Sequence, residues 1–211
     1  MSGLLDLLNS PMGKQLISGV AGHTGQPESQ TADALSMAMP LLLGAMKKNV
    51  ASSPQGAEGL MNALSSKHDG SILDNLGGLF AGGVDQSVLD DGAGILGHVF
   101  GNKQSSVENA LSQKSGLDAA AIANILKIAA PLVMGYLAKQ KAQGNVNDAS
   151  GLGSLLGSTL GGQPEQNQSL ITSLLDADGD GSILDDVAGM VMGSNQKKSG
   201  LGGMLGSLFG K

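Results

Sequence analysis

Ala38-Met39-Pro40-Leu41-Leu42-Leu43-Gly44 returns 91 positions later as Ala129-Ala130-Pro131-Leu132-Val133-Met134-Gly135. The match runs without gaps from Gly25–Gly44 to Gly116–Gly135, and the same offset aligns Gly3-Leu4-Leu5 with Gly94-Ile95-Leu96. Self-similarity at a fixed offset is the mark of a tandem duplication. Within it, Leu35, Met39, Leu42 and Met46 recur at spacings of four, three and four, as do Ile122, Leu126, Ala129, Val133 and Tyr136. Both stretches therefore read as helices turning one face to a core. An internal Pro lacks the N–H of a helical hydrogen bond and crowds the preceding turn, so a kink is expected at the same place in each copy.

Other helices are expected near 11–21, 56–65, 71–80, 87–100, 104–114, 151–160, 165–175, 182–193 and 200–209. Nothing alternates with the period of a strand, and Gly-Gly pairs with Ser, Asn and Gln clusters separate the helical stretches. The fold class is all-α, a multihelical tandem duplication with Pro-kinked core helices. The first repeat is placed at 1–101 and the second at 102–211, the two packed as one domain. Gln140 to Ser150 reads as the connector.

A second repeated motif carries the chemistry. Asp69-Gly70-Ser71-Ile72-Leu73-Asp74, Asp85-Gln86-Ser87-Val88-Leu89-Asp90 and Asp180-Gly181-Ser182-Ile183-Leu184-Asp185 share a core in which Ser is placed to cap a helix and the later Asp to reach back to it. Only the third copy adds Asp176 and Asp178; the equivalent positions are Ser65 and Lys67 in the first copy, and Ala81 and Gly83 in the second. Carboxylates at Asp176, Asp178 and Asp180 repel one another, yet oxygen ligands at loop positions 1, 3 and 5 with Gly at 6 suit a calcium loop. The Ser182 carbonyl is a further candidate ligand. Val187 stands where an EF-hand has its closing Glu. With Ser182 as the cap, Asp185 becomes the candidate closing ligand of a shorter loop, and Asp186 its reserve. Ca2+ is the cofactor these residues suggest; the other reading is an acidic, solvated turn with an ordinary helix cap.

Composition narrows the partners. The formal net charge is −6, all twelve basic residues are Lys, and aromatics make up 2% of the chain. Such a chain lacks the positive surface, the Arg forks and the stacking platforms that nucleic acid requires. With 41% hydrophobic residues, 34 Gly and 10 Met, the core must be aliphatic, with close backbone approaches and adaptable packing. There is no Cys, so the redox compartment is not indicated. No basic leader is seen and no apolar run is expected to reach the length of a membrane span. The cytoplasm is the default location, although a weak calcium site would suit an extracellular or periplasmic one.

The order of these motifs resembles that of a bacterial family, domain of unknown function 937, related to the YidB-like proteins. The resemblance rests on the Pro-Leu-[Leu/Val]-[Leu/Met]-Gly helices, the Asp-Gly-Ser-Ile-Leu-Asp turns and the tail Gly200-Leu201-Gly202-Gly203-Met204-Leu205-Gly206, and spans essentially the whole chain. It implies a multihelical fold with internal repeats and brings no activity or catalytic residue with it.

An enzyme is not expected. His23, His68 and His98 are scattered without zinc-ligand spacing, and His68 beside Asp69 reads as a solvated turn histidine. The Gly-rich stretches lack the Lys-[Ser/Thr] of a phosphate loop and the Gly-x-Ser-x-Gly of a nucleophile elbow. Gly151 to Gly157 and Gly200 to Gly210 are apolar but poor helix formers, so they need a surface to hold them: the chain's own core, or another copy. Two functions follow as expectations. One is a non-catalytic, calcium-stabilised helical module with a structural or self-assembly role, its partner a second copy or another protein. The alternative is a small-molecule or peptide binder using an apolar groove between the repeats.

Overall fold

The computed structural model describes residues 4–161 together with Ile171, Thr172 and Leu175, and side chains from Leu7 onward. Among these the architecture is all-α. In chain order the helices are α1 (Leu4–Asn9), α2 (Pro11–Thr24), α3 (Glu28–Ser52), α4 (Pro54–Ser66), α5 (Ser71–Asp74), α6 (Leu76–Phe80), α7 (Gln86–Phe100), α8 (Gln104–Ser115), α9 (Ala119–Gln143) and α10 (Ala149–Leu160), with a 3-10 turn at Gly101–Lys103. The helices expected near 182–193 and 200–209 lie outside the described residues.

Local chemistry sets most of the boundaries. Ser10 and Ser53 accept the amide hydrogens of Gly13 and Gly56, each with Pro at the first helical position, where no donor is needed. Asp118 and Asp148 cap α9 and α10 through the amides of Ala121 and Gly151, both at 2.7 Å. Gly25 (φ 69°) and Gly116 (φ 74°) end α2 and α8 in the left-handed conformation that glycine adopts most cheaply. Gly116 follows Gly25 by the same 91 positions that separate the starts and the ends of α3 and α9, both 25 residues long. Pro40 and Pro131 each lie twelve residues from the start of their helix, inside continuous α-helical backbone.

α3 and α9 pack against each other at the centre, and the remaining helices cover them. The expected core stripes are buried, but so is everything between them: Ala38–Met46 and Ile128–Ala138 are buried at every position. Both helices are thus wrapped on all sides in their middle turns. α9 is long and apolar enough to cross a membrane, with a mean hydropathy of 1.6 in its most apolar window, contrary to the expectation that no run reaches that length. That window is 78% buried by the other helices, so its hydropathy here serves the core. One buried aliphatic cluster draws on both halves of the chain. α7, assigned to the first repeat by the sequence, makes its most extensive packing against α9.

Small residues set how closely the outer helices approach. A Cβ at Gly44 would stand 2.8 Å from Ile171 Cγ2, and one at Gly135 would stand 2.7 Å from Ile72 Cγ2, so each central helix receives an Ile at its Pro-x-x-x-Gly glycine. Two sequence expectations need correction. The helix expected over 71–80 breaks at Asn75, whose side chain turns to accept the Gly78 amide hydrogen at 3.2 Å, in competition with the helical backbone. The connector is shorter than Gln140–Ser150, because Gln140–Gln143 forms the last turn of α9 and α10 begins at Ala149. The Ala-, Lys- and Gln-rich end of α9 favours helix.

Candidate functional site

α4 ends at Ser66, and the turn Lys67-His68-Asp69-Gly70 that follows shapes two concavities. The amide hydrogens of Lys67 and His68 both close on the Ala63 carbonyl. Gly70 then takes φ 92°, which lays the chain flat on α9: a Cβ there would meet Lys139 Cγ at 2.6 Å and the Gly135 carbonyl at 3.0 Å. Asp69 accepts the Ser71 amide hydrogen at 2.9 Å. The Ser71 hydroxyl and this amide hold the Asp69 carboxyl below the ordinary aspartate range, an effect that outweighs desolvation.

His68 is not the solvated turn residue that its neighbours in sequence suggest. Its side chain is only 9% exposed, and Nε2 stands 3.7 Å from Oδ2 of Asp91 on α7. The turn over α9 swings the ring inward, a result of Gly70 geometry that local composition does not reveal. His68, Asp91 and Lys67 together form the partition between two concavities. One, of about 390 Å³, lies around the Asp69–Ser71 turn and reaches Pro131. The other, of about 730 Å³, is a groove between the end of α3, α4 and α7.

The groove is built from helical stripes. Asp91, Gly94, Ile95 and His98 of α7 form one wall at the i, i+3, i+4, i+7 spacing of a single face. Gly56, Gly59, Leu60 and Ala63 of α4 form the other in the same way. Met46 of α3 and Met134 of α9, both buried, lie beneath. Gly59 and Gly94 differ from the packing glycines, because a Cβ at either would meet nothing within 4 Å. Their missing side chains leave room. The sequence held the signal for this site in the mixed Gly and polar stripe on α7, but finding it required knowing that α4 lies opposite.

The predicted calcium ligands Asp176, Asp178, Asp180, Ser182, Asp185 and Asp186 all lie outside the described residues. Their counterparts in the two earlier copies correct the capping argument. Ser71 is the first residue of α5 behind Gly70, and Ser87 is the second residue of α7 behind Asp85, so neither serves as the cap. Asp74 does not reach back either; it pairs with Lys139 of α9, while Asp90 accepts the Gln86 side-chain amide at 2.8 Å. In the first copy the leading Asp69 holds the turn, its carboxylate lying two residues ahead of the amide it accepts, whereas Asp85 makes no side-chain cap bond. Ser182 as a cap thus has no precedent in the chain. Among the described residues, no three His, Cys, Asp or Glu side chains converge as a metal would require.

A family model described as "Bacterial protein of unknown function (DUF937)" matches residues 6–140 and 146–211. No curated protein and no solved structure matches the chain.

Proposed function

The chain belongs to this bacterial family, DUF937, whose description assigns no activity, and from the geometry we propose that it is a non-catalytic helical module that holds a small organic molecule in the groove between α3, α4 and α7. The observation that carries this reading is the pair of open glycines. Gly59 of α4 and Gly94 of α7 both line a groove of about 730 Å³ with an apolar floor, a size within the range of small-molecule sites. Glycine in mid-helix weakens the helix, and at these two lining positions it leaves room in the groove. Nile red, a neutral apolar dye, tests it. Its fluorescence should rise on binding to the native chain and not to Gly59→Leu or Gly94→Leu, whose Cβ meets nothing within 4 Å and whose side chain takes up groove volume. Equal enhancement by all three proteins would refute the reading.

A second reading rests on the aspartate run. In it, Asp176, Asp178, Asp180 and the Ser182 carbonyl bind one calcium ion, closed by Asp185 or in its place Asp186, and the ion stabilises a module that assembles with further copies. The alternation of three carboxylates, found in one of three motif copies, supports it. Light scattering with and without calcium is the test, and an unchanged monomer mass would remove the assembly role. The common 91-residue offset of α3 and α9, of their prolines and of their preceding glycine caps supports the proposal that the chain arose by duplication.

A further inference from the structure

We infer that the groove's ligand is a small organic amine, an apolar body carrying one protonated nitrogen that Asp91 holds; this rests on the groove being a ligand site. What carries it is the charge among the polar groups of the lining. Asn49 directs Nδ2 to the carbonyls of His98 and Val99, at 3.0 and 3.2 Å. The Ser52 and Ser66 hydroxyls donate to the carbonyls of Asn49 and Asn62, at 3.0 and 2.7 Å. The His98 Nδ1 lies 2.8 Å from the Gly94 carbonyl, which can only accept, so Nδ1 also donates to the backbone. The walls have thus committed these donors to the backbone. The charged groups in the lining are the Asp91 and Asp90 carboxylates and Lys67, beside the neutral side chains of Ser53, Gln55 and Asn62.

Asp91 is the focus of this set. Its side chain is 41% exposed, enough to meet a ligand and shielded enough to strengthen the interaction, and 3.7 Å to His68 is too long for a hydrogen bond. Asp90 adds a second negative charge to the same lining. Lys67 is the one cation among the lining residues, and it is exposed at the end of α4, where its long side chain can extend into water. An alkylammonium supplies three donors and a positive charge to this arrangement, while its chain covers Met46, Met134, Leu60 and Ile95. A carboxylate ligand would meet two like charges. A neutral alcohol would offer only one donor.

Calorimetric titration near neutral pH with octylamine, octanol and octanoate tests the inference on the full chain, on Asp91→Asn and on Gly94→Leu. An alkylamine is fully protonated there. Octylamine should bind about tenfold more tightly than octanol, as a charge-assisted hydrogen bond implies, with octanoate the weakest. Asp91→Asn should erase the preference and leave octanol affinity unchanged, and Gly94→Leu should abolish binding of all three. Equal binding of amine and alcohol by the native chain, lost in Gly94→Leu, would overturn the amine inference while leaving the groove as a ligand site. No binding by any probe, or binding that survives Gly94→Leu, would overturn both. A preference that survives Asp91→Asn would remove Asp91 from its role. The native-chain comparison needs no variant to fold.

Discussion

Gly92 of α7 lies against the carbonyl of Lys127 in α9, so close that a Cβ on Gly92 would stand 1.8 Å from the oxygen. That carbonyl is the acceptor whose helical partner would be the N–H four residues on, and residue 131 is Pro, which has none. Because the Cα–Cβ bond is about 1.5 Å, the Gly92 Cα lies within about 3.3 Å of the oxygen, in the range of a Cα–H···O contact. The acceptor freed by Pro131 is therefore covered by the one residue type that can come near enough.

Gly92→Ala should for this reason be severely destabilising. The Lys127 oxygen is helix backbone and a Cβ is fixed rigidly to its own backbone, so α7 must move away from α9, along the most extensive helix packing among the described residues. A loss of about 3 kcal/mol or more is expected, at or above the upper end for overpacking, measured by urea unfolding. Gly94→Ala, two residues away on the open side, should instead gain about 0.5–1 kcal/mol. Equal effects would contradict the assignment of one glycine to packing and the other to the groove.

Thr31 offers a gain of a different kind. It is fully buried in the first turns of α3, and its hydroxyl has no hydrogen-bond partner. Thr31→Val keeps the shape and removes the polar atom, so stability should rise by about 1 kcal/mol. A loss of that size would mean the hydroxyl has a partner in solution.

Asp69 should titrate below the ordinary aspartate value of 3.8, held down by the Ser71 hydroxyl and amide. A carboxylate with a depressed folded-state value stabilises the turn fully above its unfolded-state value, and that contribution fades as pH falls through the lower folded value. Carboxyl carbon NMR on the native chain and on Ser71→Ala checks this: the Asp69 midpoint should be higher in the variant. An identical midpoint in both would assign the shift to the backbone amide alone.

Calcium at millimolar concentration should raise the thermal midpoint of the native chain, and Asp178→Ala should reduce that rise. Asp69→Ala should leave it intact, since Ser65 and Lys67 stand where the first copy would need carboxylates. A native chain that neither warms a calorimeter nor melts later with calcium would end the metal reading.

The groove and the calcium loop differ in how they could be read. Asp176, Asp178 and Asp180 lie within five consecutive positions, so their chemistry is visible in a string of letters. His68 lies in the turn after α4 and Asp91 on α7, and nothing near either one in sequence points to the other. Ser71 does not cap α5 because Asp69, two residues ahead, takes its amide hydrogen, and sequence alone does not say which side chain wins such a competition.

By itself the sequence determined the helical class and the long central helices. Those depend on side-chain spacing within a few turns and on hydrogen bonds between residues three or four apart. Only the tertiary structure decided which glycines are contacts and which are openings. Gly92 and Gly94 are alike in the chain, but α9 runs beneath one and the space before α4 lies beside the other. A missing Cβ acquires its meaning from whatever occupies the place where it would have been, and in a helical bundle that is set by another segment of the chain.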